Sequence, residues 1–243
     1  VRRIITAADL APTDTVVEIG PGLGSLTLTL ADAVERVIAI EIDAGLVQVL
    51  RDRVADRTDI EVVHDDAMRA DLGALIGDGT ARVVANLPYN VATPLVVHSL
   101  DDPAITDVFV MVQREVGERW CAPPGHTLRA AISVKLDLLA HVEVAFTIPR
   151  TVFYPVPNVD SVMVTLRRRA DAPDVDERRY LVEVVEAAFA QRRKTLRNTL
   201  RSVASSDHLD AAASAVGIDL GARAETLATQ QFRALAAVLR RTE

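Results

Sequence analysis

Four consecutive residues, Asn86-Leu87-Pro88-Tyr89, set a carboxamide, a main-chain carbonyl and an aromatic ring within one short stretch of chain. An amino group conjugated with a purine is a poor nucleophile, because its lone pair is delocalised into the ring. Hydrogen bonds from such an amine to the Asn86 side-chain oxygen and the Leu87 carbonyl would localise that pair and aim it at an electrophile. The contribution is positioning and electrostatics, so no general base is required. Pro88 removes one amide from the loop and stiffens it. Tyr89 offers a face on which a base can stack, and a base inside folded RNA must be extruded before it can reach such a pocket. A second ring of this kind is Phe153, in Val152-Phe153-Tyr154-Pro155-Val156-Pro157. For Phe153 and Tyr154, ordinary core packing is an equal reading.

A cofactor site is readable upstream. Glu18-Ile19-Gly20-Pro21-Gly22-Leu23-Gly24 closes one apolar run and opens the next helical stretch. Glycines there permit a tight turn and close approach of a ligand, and helix-terminal amides are free to meet it. A dinucleotide fingerprint would want glycine at 25, where Ser25 stands, which weakens an NAD reading. Glu41 follows the glycines by about twenty residues, where a carboxylate can accept both hydroxyl hydrogens of a ribose. Asp66, in Asp65-Asp66-Ala67-Met68, can accept from an adenine amine while Met68 or Ala67 packs on the ring; taken singly it reads as a loop-capping aspartate. Glycines, then Glu, then Asp at three successive strand ends favour S-adenosylmethionine over NAD.

The elements that must position these residues follow from the pattern. Short Val/Ile-rich runs at 15–19, 36–41, 60–64, 81–87 and 106–112 alternate with helix-compatible stretches at 25–33, 44–55, 71–76 and 91–100. That alternation predicts a doubly wound α/β domain built on a parallel sheet. Residues 141–148 and 158–168 read as two further strands, antiparallel and finishing the sheet. The polar stretch 169–175 reads as a linker, and helices are expected at 176–191, 192–204, 207–216 and 229–241. The domains expected are 1–170 for cofactor and catalysis and 171–243 as a small helical unit.

Bulk properties bound the rest. With 243 residues, 49% of them hydrophobic, the chain can bury a sizeable core. No apolar run reaches the roughly 18 residues of a membrane span. One cysteine, Cys121, excludes an intramolecular disulfide framework and points to a reducing cytoplasm. The five histidines are scattered, none at metal-ligand spacing, so no metal is expected. The net charge of -7 argues against a polyanionic partner only on average. Residues 1–170 carry 16 Lys+Arg against 23 Asp+Glu, whereas 171–243 carry 11 of each. Within the latter, Arg192, Arg193, Lys194, Arg197 and Arg201 form a run with no acidic residue between them, either a solvated helix face or a phosphate-binding surface.

Taken together, Glu18–Leu26 (EIGPGLGSL), Asp66–Met68, Asn86–Pro94 (NLPYNVATP), Met111–Arg119 (MVQREVGER), Phe153–Ser161 (FYPVPNVDS) and Ala188–Asn198 (AFAQRRKTLRN) resemble the KsgA-type small-subunit ribosomal RNA adenine dimethyltransferases. The resemblance runs over nearly the whole chain. Resistance-conferring methylases of large-subunit RNA share the cofactor loop and a similar tetrapeptide but lack the Gln-Arg-Arg-Lys signature. The resemblance implies a Rossmann-like class I methyltransferase domain. It also implies transfer of two methyl groups from S-adenosylmethionine to each of two adjacent adenines, in a hairpin near the 3′ end of small-subunit RNA within a pre-ribosomal particle. It carries over Gly20, Glu41, Asp66 and Asn86 as cofactor contacts, with Glu18, Gly22, Ile42 and Ala67 beside them. Asn86, Leu87 and Pro88 become the amine-holding loop, Tyr89 and Phe153 the base-stacking pair, and the 192–201 run an RNA-facing element.

Two departures stand out. The family's N-terminal segment, with a Gly-Gln-Asn-Phe-like motif that closes over the cofactor, would lie upstream of Val1. A chain beginning at Val1 is therefore expected to bind cofactor weakly and turn over poorly. Within 125–131, Arg129-Ala130 stand where relatives carry Tyr-Gly, and no function is assigned to that loop. Competing functions are a large-subunit RNA methylase conferring drug resistance, a mainly non-catalytic ribosome assembly factor, and, least favoured because the basic run would be unnecessary, a small-molecule methyltransferase. A monomer is expected for an enzyme that docks on a much larger particle.

Overall fold

The computed structural model describes residues 2–88, 90–154 and 156–240. After helix α1 (Arg2–Ala8), strands β1 (Thr15–Ile19), β2 (Arg36–Glu41), β3 (Ile60–His64), β4 (Ala81–Asn86) and β5 (Ile105–Gln113) alternate with helices α2 (Ser25–Ala31), α3 (Ala44–Arg53), α4 (Leu72–Ile76) and α5 (Ala92–Asp101). Helices α6 (Arg114–Trp120) and α7 (Ala131–Leu139) lead into β6 (Ala140–Ile148) and β7 (Ser161–Arg168). The seven strands form one sheet in the order β3-β2-β1-β4-β5-β7-β6. The β1–β2, β2–β3, β1–β4 and β4–β5 pairs are parallel, and β5–β7 is antiparallel.

Local chemistry accounts for these elements. Val37, Ile38, Ala39 and Ile40 are all fully buried, as a central parallel strand covered on both faces requires. Helix α5 buries Ala92, Leu95, Val96, Ser99 and Leu100, one stripe at three- and four-residue spacing. Asp43 caps α3 by accepting from the Gly45 and Leu46 amides, satisfying donors that the helix cannot. The chain leaves β1 toward β2 on one side and returns to β4 on the other, so the carboxyl ends of β1 and β4 flank a topological switch point, where such sheets bind ligands.

The chain divides into two compact units, residues 1–117 with 142–168, and residues 118–141 with 169–243. Residues 118–141, grouped with the sheet on the strength of the sequence, thus cluster with the helical tail of α8 (Val175–Phe189), α9 (Leu196–Thr199), α10 (Ser206–Val216) and α11 (Thr229–Arg240). The reason is apolar burial. Val134 and Leu138 of α7 join Leu181, Leu209, Phe232 and Leu235 in one core. Arg129 is buried in this unit. Its Nη1 donates to the Ala122 carbonyl at 2.7 Å and its Nη2 to Thr229 Oγ1 at 3.1 Å. Thr229 in turn donates to Asp137 Oδ2 at 2.5 Å, and Asp137 Oδ1 pairs with Arg169 at 2.6 Å. The 122–130 loop is therefore pinned to the start of α11 by a buried polar network.

The helix expected over 192–204 does not form as one element. Residues 190–195 are a turn, followed by α9 and a short 3-10 turn at Leu200–Ser202. The amides of Leu196 and Arg197 donate at 2.9 Å to the carbonyls of Ala222 and Leu220, so the donors that would have propagated a helix back into the basic run are taken by another segment.

Helix α6 sits tight against β7. A Cβ added at Gly117 would lie 2.4 Å from Val162 Cγ2 and 2.9 Å from Val164 Cγ2. Alanine is otherwise the better helix former, so the two effects oppose each other and packing wins. Gly117→Ala should destabilise the protein by roughly 1–3 kcal/mol, read as a lower midpoint of urea unfolding; a midpoint at or above that of the parent would refute the close contact.

Candidate active site

The glycine turn is built at the end of β1. Gly20, Gly22 and Gly24 all have positive φ. At Gly24 the requirement is double, since φ is +82° and a Cβ would sit 2.5 Å from Leu50 Cδ1. The Gly20 amide donates to the Ile40 carbonyl at 2.9 Å, tying the ends of β1 and β2 together. The turn then delivers the Gly22 amide to Glu41 Oε2 at 3.1 Å, while Oε1 accepts from the Asp43 amide at 3.0 Å. Glu41 is buried and fixed by two main-chain donors. An ionised carboxylate has about four acceptor positions, so it keeps capacity for two hydroxyl donors.

The next strand end lies alongside. Glu41 is in register with His64, and the Asp65 amide donates to the Glu41 carbonyl at 3.1 Å. Asp66 Oδ1 accepts from the Met68 amide at 3.0 Å, the loop-capping geometry, and Oδ2 stands 3.8 Å from Arg69 Nε. Ala67 is buried, whereas Ile42 and Met68 are exposed at 66% and 37%. The apolar surface available at this edge is therefore Ile42 and Met68 rather than the Ala67 side chain.

At the end of β4, Asn86 is exposed and Leu87 is buried, so the Leu87 side chain anchors the loop while its backbone passes the site. Because β1 and β4 are neighbours, a Cβ built on Gly20 would meet Pro88 Cδ at 4.0 Å. A side chain of even one carbon at Gly20 would thus reach van der Waals contact with the Asn86–Pro88 loop. Tyr89 lies outside the described residues. One cavity of about 790 Å³ is bounded by Glu18 and Gly20, by Asn86 and Met111, and by Phe146 and Phe153. Phe153 is half-buried on a segment clipped by Asp160, which accepts from the Arg150 amide at 2.9 Å through Oδ1 and from the Arg114 amide at 3.0 Å through its carbonyl.

The structure thus brings Glu18, Gly20, Asn86 and Phe153 around one cavity, with Gly22, Glu41, Ile42, Asp66 and Ala67 farther along the same sheet edge and not lining it. It adds residues that sequence reasoning did not single out. Phe146 and Ile148 alternate on β6 and both face the cavity, a period-2 signal that could have been used, and Arg3 lies 4.4 Å over the Phe146 ring. Among the described residues, no cluster of three His, Cys, Asp or Glu side chains is disposed to hold a metal ion.

Glu18 is the electrostatic anomaly of the site. It is 2% exposed, and neither its Oε2 nor the nearby Thr27 Oγ1 has a hydrogen-bond partner among the described residues. Burial pushes its carboxyl up to about 7; Thr27 opposes that shift and the neighbouring Glu41 charge adds to it.

The basic run belongs to the helical unit. Arg192 donates to the Thr127 carbonyl, and Arg197 pairs with Asp210 at 2.7 Å, which holds Arg197 above and Asp210 below their usual ranges. Arg193, Lys194 and Arg201 are exposed and make no ion pair among the described residues.

Residues 1–241 match the profile of the family described as ribosomal RNA adenine dimethylase. The chain is 47% identical to "Ribosomal RNA small subunit methyltransferase A" of Thermobifida fusca, over 97% of this chain and 84% of that one. It is 38% identical to the protein of the same name from Geobacillus thermodenitrificans, over 98% and 85%. The solved structure of the 23S rRNA methyltransferase ErmE matches with a TM-score of 0.75 at 27% identity, covering 98% of this chain and 96% of that one. A dimethyladenosine transferase from Plasmodium falciparum shares the fold, with a TM-score of 0.78 at 24% identity over 96% and 92%.

The Glu18 environment makes a pH prediction. Its folded pKa is raised, so the folded state holds the proton more tightly than the unfolded chain. The stability this contributes is complete below pH 4.5 and is lost as pH rises through about 7. Above that the fold carries a buried charge costing on the order of 3 kcal/mol. Glu18→Gln should therefore gain melting temperature relative to the parent between pH 5 and pH 8 in ligand-free protein, and a difference that stays flat with pH would contradict the assignment.

Proposed function

This chain belongs to the ribosomal RNA adenine dimethylase family, and from that premise we propose that it transfers methyl groups from S-adenosylmethionine to the exocyclic amines of two adjacent adenines in a 3′-terminal hairpin of small-subunit ribosomal RNA. The observation that carries the reading is the single cavity shared by Glu18 and Gly20 of the glycine turn, Asn86 of the fourth strand, and Phe153. Within the family, the small-subunit substrate is favoured by relatives of that name at 38–47% identity, against 27% for the 23S enzyme ErmE.

The residues present suit the cofactor. Glu41, with two of its acceptor positions already taken by main-chain amides, would accept from ribose hydroxyls. Ile42 and Met68 would cover the adenine ring, and Asp66 would accept from its amine. Glu18, a buried acid with an unpartnered oxygen, suits the cationic end of the molecule. When bound, S-adenosylmethionine supplies an electrophilic methyl group on a sulfonium.

The work of this chain is to present the nucleophile. The Asn86 side-chain oxygen and the Leu87 carbonyl would accept the two amine hydrogens, drawing the nitrogen lone pair out of conjugation and fixing its direction. Buried Leu87 and the stiff Pro88 hold those acceptors in place. Phe153, with Tyr89, would stack on the extruded base and offset the cost of extruding it. Proton loss follows methyl transfer and needs no dedicated base, since the alkylated nitrogen is briefly cationic and strongly acidic.

Phosphate contact falls to the exposed Arg193, Lys194 and Arg201, which make no ion pair among the described residues, while Arg192 and Arg197 brace the turn that presents them. The substrate form we favour is RNA within a pre-ribosomal particle in the cytoplasm, met by a monomer. No helix among the described residues is long and apolar enough to cross a membrane.

Two experiments test this. The protein incubated with immature small subunits and labelled S-adenosylmethionine should yield N6,N6-dimethyladenine on mapping by mass spectrometry, and Asn86→Ala should cut turnover on the order of 100-fold. No incorporation, or incorporation confined to large-subunit RNA, would overturn the reading. The double variant Arg193→Ala/Lys194→Ala should weaken RNA binding and reduce the salt slope of log K by about 2, with cofactor affinity unchanged; an unaltered slope would remove these two side chains from the interface.

A further inference from the structure

Tyr154 is fully exposed, at 100% of its reference area, although its place beside Phe153 in an apolar sequence is equally compatible with core packing. An aromatic ring left wholly in water on a short, held segment calls for a reason. The segment is tied at both ends through Asp160, and Phe153 has extended backbone angles (φ −105°, ψ 151°). Phe153 bounds the cavity, whereas Tyr154, the next residue, does not line it and stands wholly in solvent. Around Tyr154 the segment is apolar and open, with Val152 and Val156 exposed at 65% and 55%. Val152 also lines the cavity, which makes the exposed patch continuous with the site. Arg150, on the same segment, is exposed and cationic.

We propose that Tyr154 is a second stacking platform, one that receives the base of the nucleotide adjoining the one whose base occupies the cavity. The inference rests on the RNA-methylating function proposed above. A base drawn into the cavity leaves its neighbour on the strand with an uncovered face, and that neighbour cannot follow because the backbone joins them across the mouth. A ring one residue beyond the cavity wall meets that face. Stacking on it is tolerant of base identity and is worth about 1–3 kcal/mol, and the exposed cation Arg150 on the same segment would suit the linking phosphate. Phe153 and Tyr154 would then hold the two bases apart, one inside and one outside, and keep the extruded state from collapsing back into a stack.

The test uses the protein and an RNA substrate with 2-aminopurine at the nucleotide adjoining the target adenine. Tyr154→Ala should raise the KM for RNA roughly tenfold, with the loss in KM rather than kcat and with unaltered melting temperature and cofactor affinity. Bound 2-aminopurine should be quenched by the parent and by Tyr154→Phe, and brighter with Tyr154→Ala. If the parent methylates RNA but Tyr154→Ala matches it within twofold and quenches equally, the stacking platform is refuted and the function stands. If the variant is impaired only on the assembled particle and not on the naked RNA, the ring meets a protein and the proposal also fails. A parent that methylates no RNA overturns the function first, and this inference with it.

Discussion

The main-chain amide of Gly22 donates to the Glu41 carboxylate across the ends of two neighbouring strands. That bond requires three left-handed glycines in the turn that presents the amide, and it requires β1 and β2 in parallel register so that Ile19 lies beside Ile40. Once Glu41 is fixed, the acceptor proposed for the ribose is fixed, and the glycine turn is held close to the loop that follows β4. Displacing any of these strands by one residue would reverse the direction of every side chain on it and separate acceptor, turn and loop. The geometry of the site is thus a property of the sheet more than of the loops that decorate it.

The same edge stores a cost. Glu18 is a strand residue with its carboxyl enclosed, close to Glu41 and short of one hydrogen-bond partner. An apolar or amide side chain there would suit folding better. A buried acid at such a position is characteristic of sites arranged for a ligand rather than for stability, because a cation in the cavity that Glu18 lines would offset the cost of its charge. The contrast with Arg129 is instructive. That buried charge also lacks one partner, at Nε, yet its other donors are engaged by Ala122 and Thr229, and it serves to pin a loop within the helical unit.

Charge, similarly, has to be read locally. A chain with a net charge of -7 can still address a polyanion if its cations are concentrated and unpaired. In the helical unit the five cations of the 192–201 run divide into two kinds. Arg192 and Arg197 are consumed by a carbonyl and a carboxylate within the unit, and the remaining three are left to solvent. Counting basic residues overstates such a surface, whereas counting those without an internal partner describes it.

The five parallel strands and the crossover helices of the first unit were legible from the chain alone, though α6 was not, because buried parallel strands must be apolar runs and their crossover helices must repeat apolar residues every three or four positions. Val37–Ile40 and Ala92–Leu100 carry those signals without ambiguity. The glycine turn was legible for the same reason, because its geometry is local and written in consecutive residues, and the Asn86–Tyr89 stretch could be proposed as an amine-holding loop on the same footing. What only tertiary structure decided is everything that depends on competition between distant segments. Residues 118–141 joined the helical tail because Val134 and Leu138 found apolar partners there. The basic run stayed a turn because Ala222 and Leu220 offered carbonyls to the amides of Leu196 and Arg197. Phe153 came to line the cavity while Tyr154 stayed fully exposed, on a segment that Asp160 ties back to Arg150. Periodicity reports which residues need burial, but not which partners arrive first to bury them or to take up their hydrogen bonds.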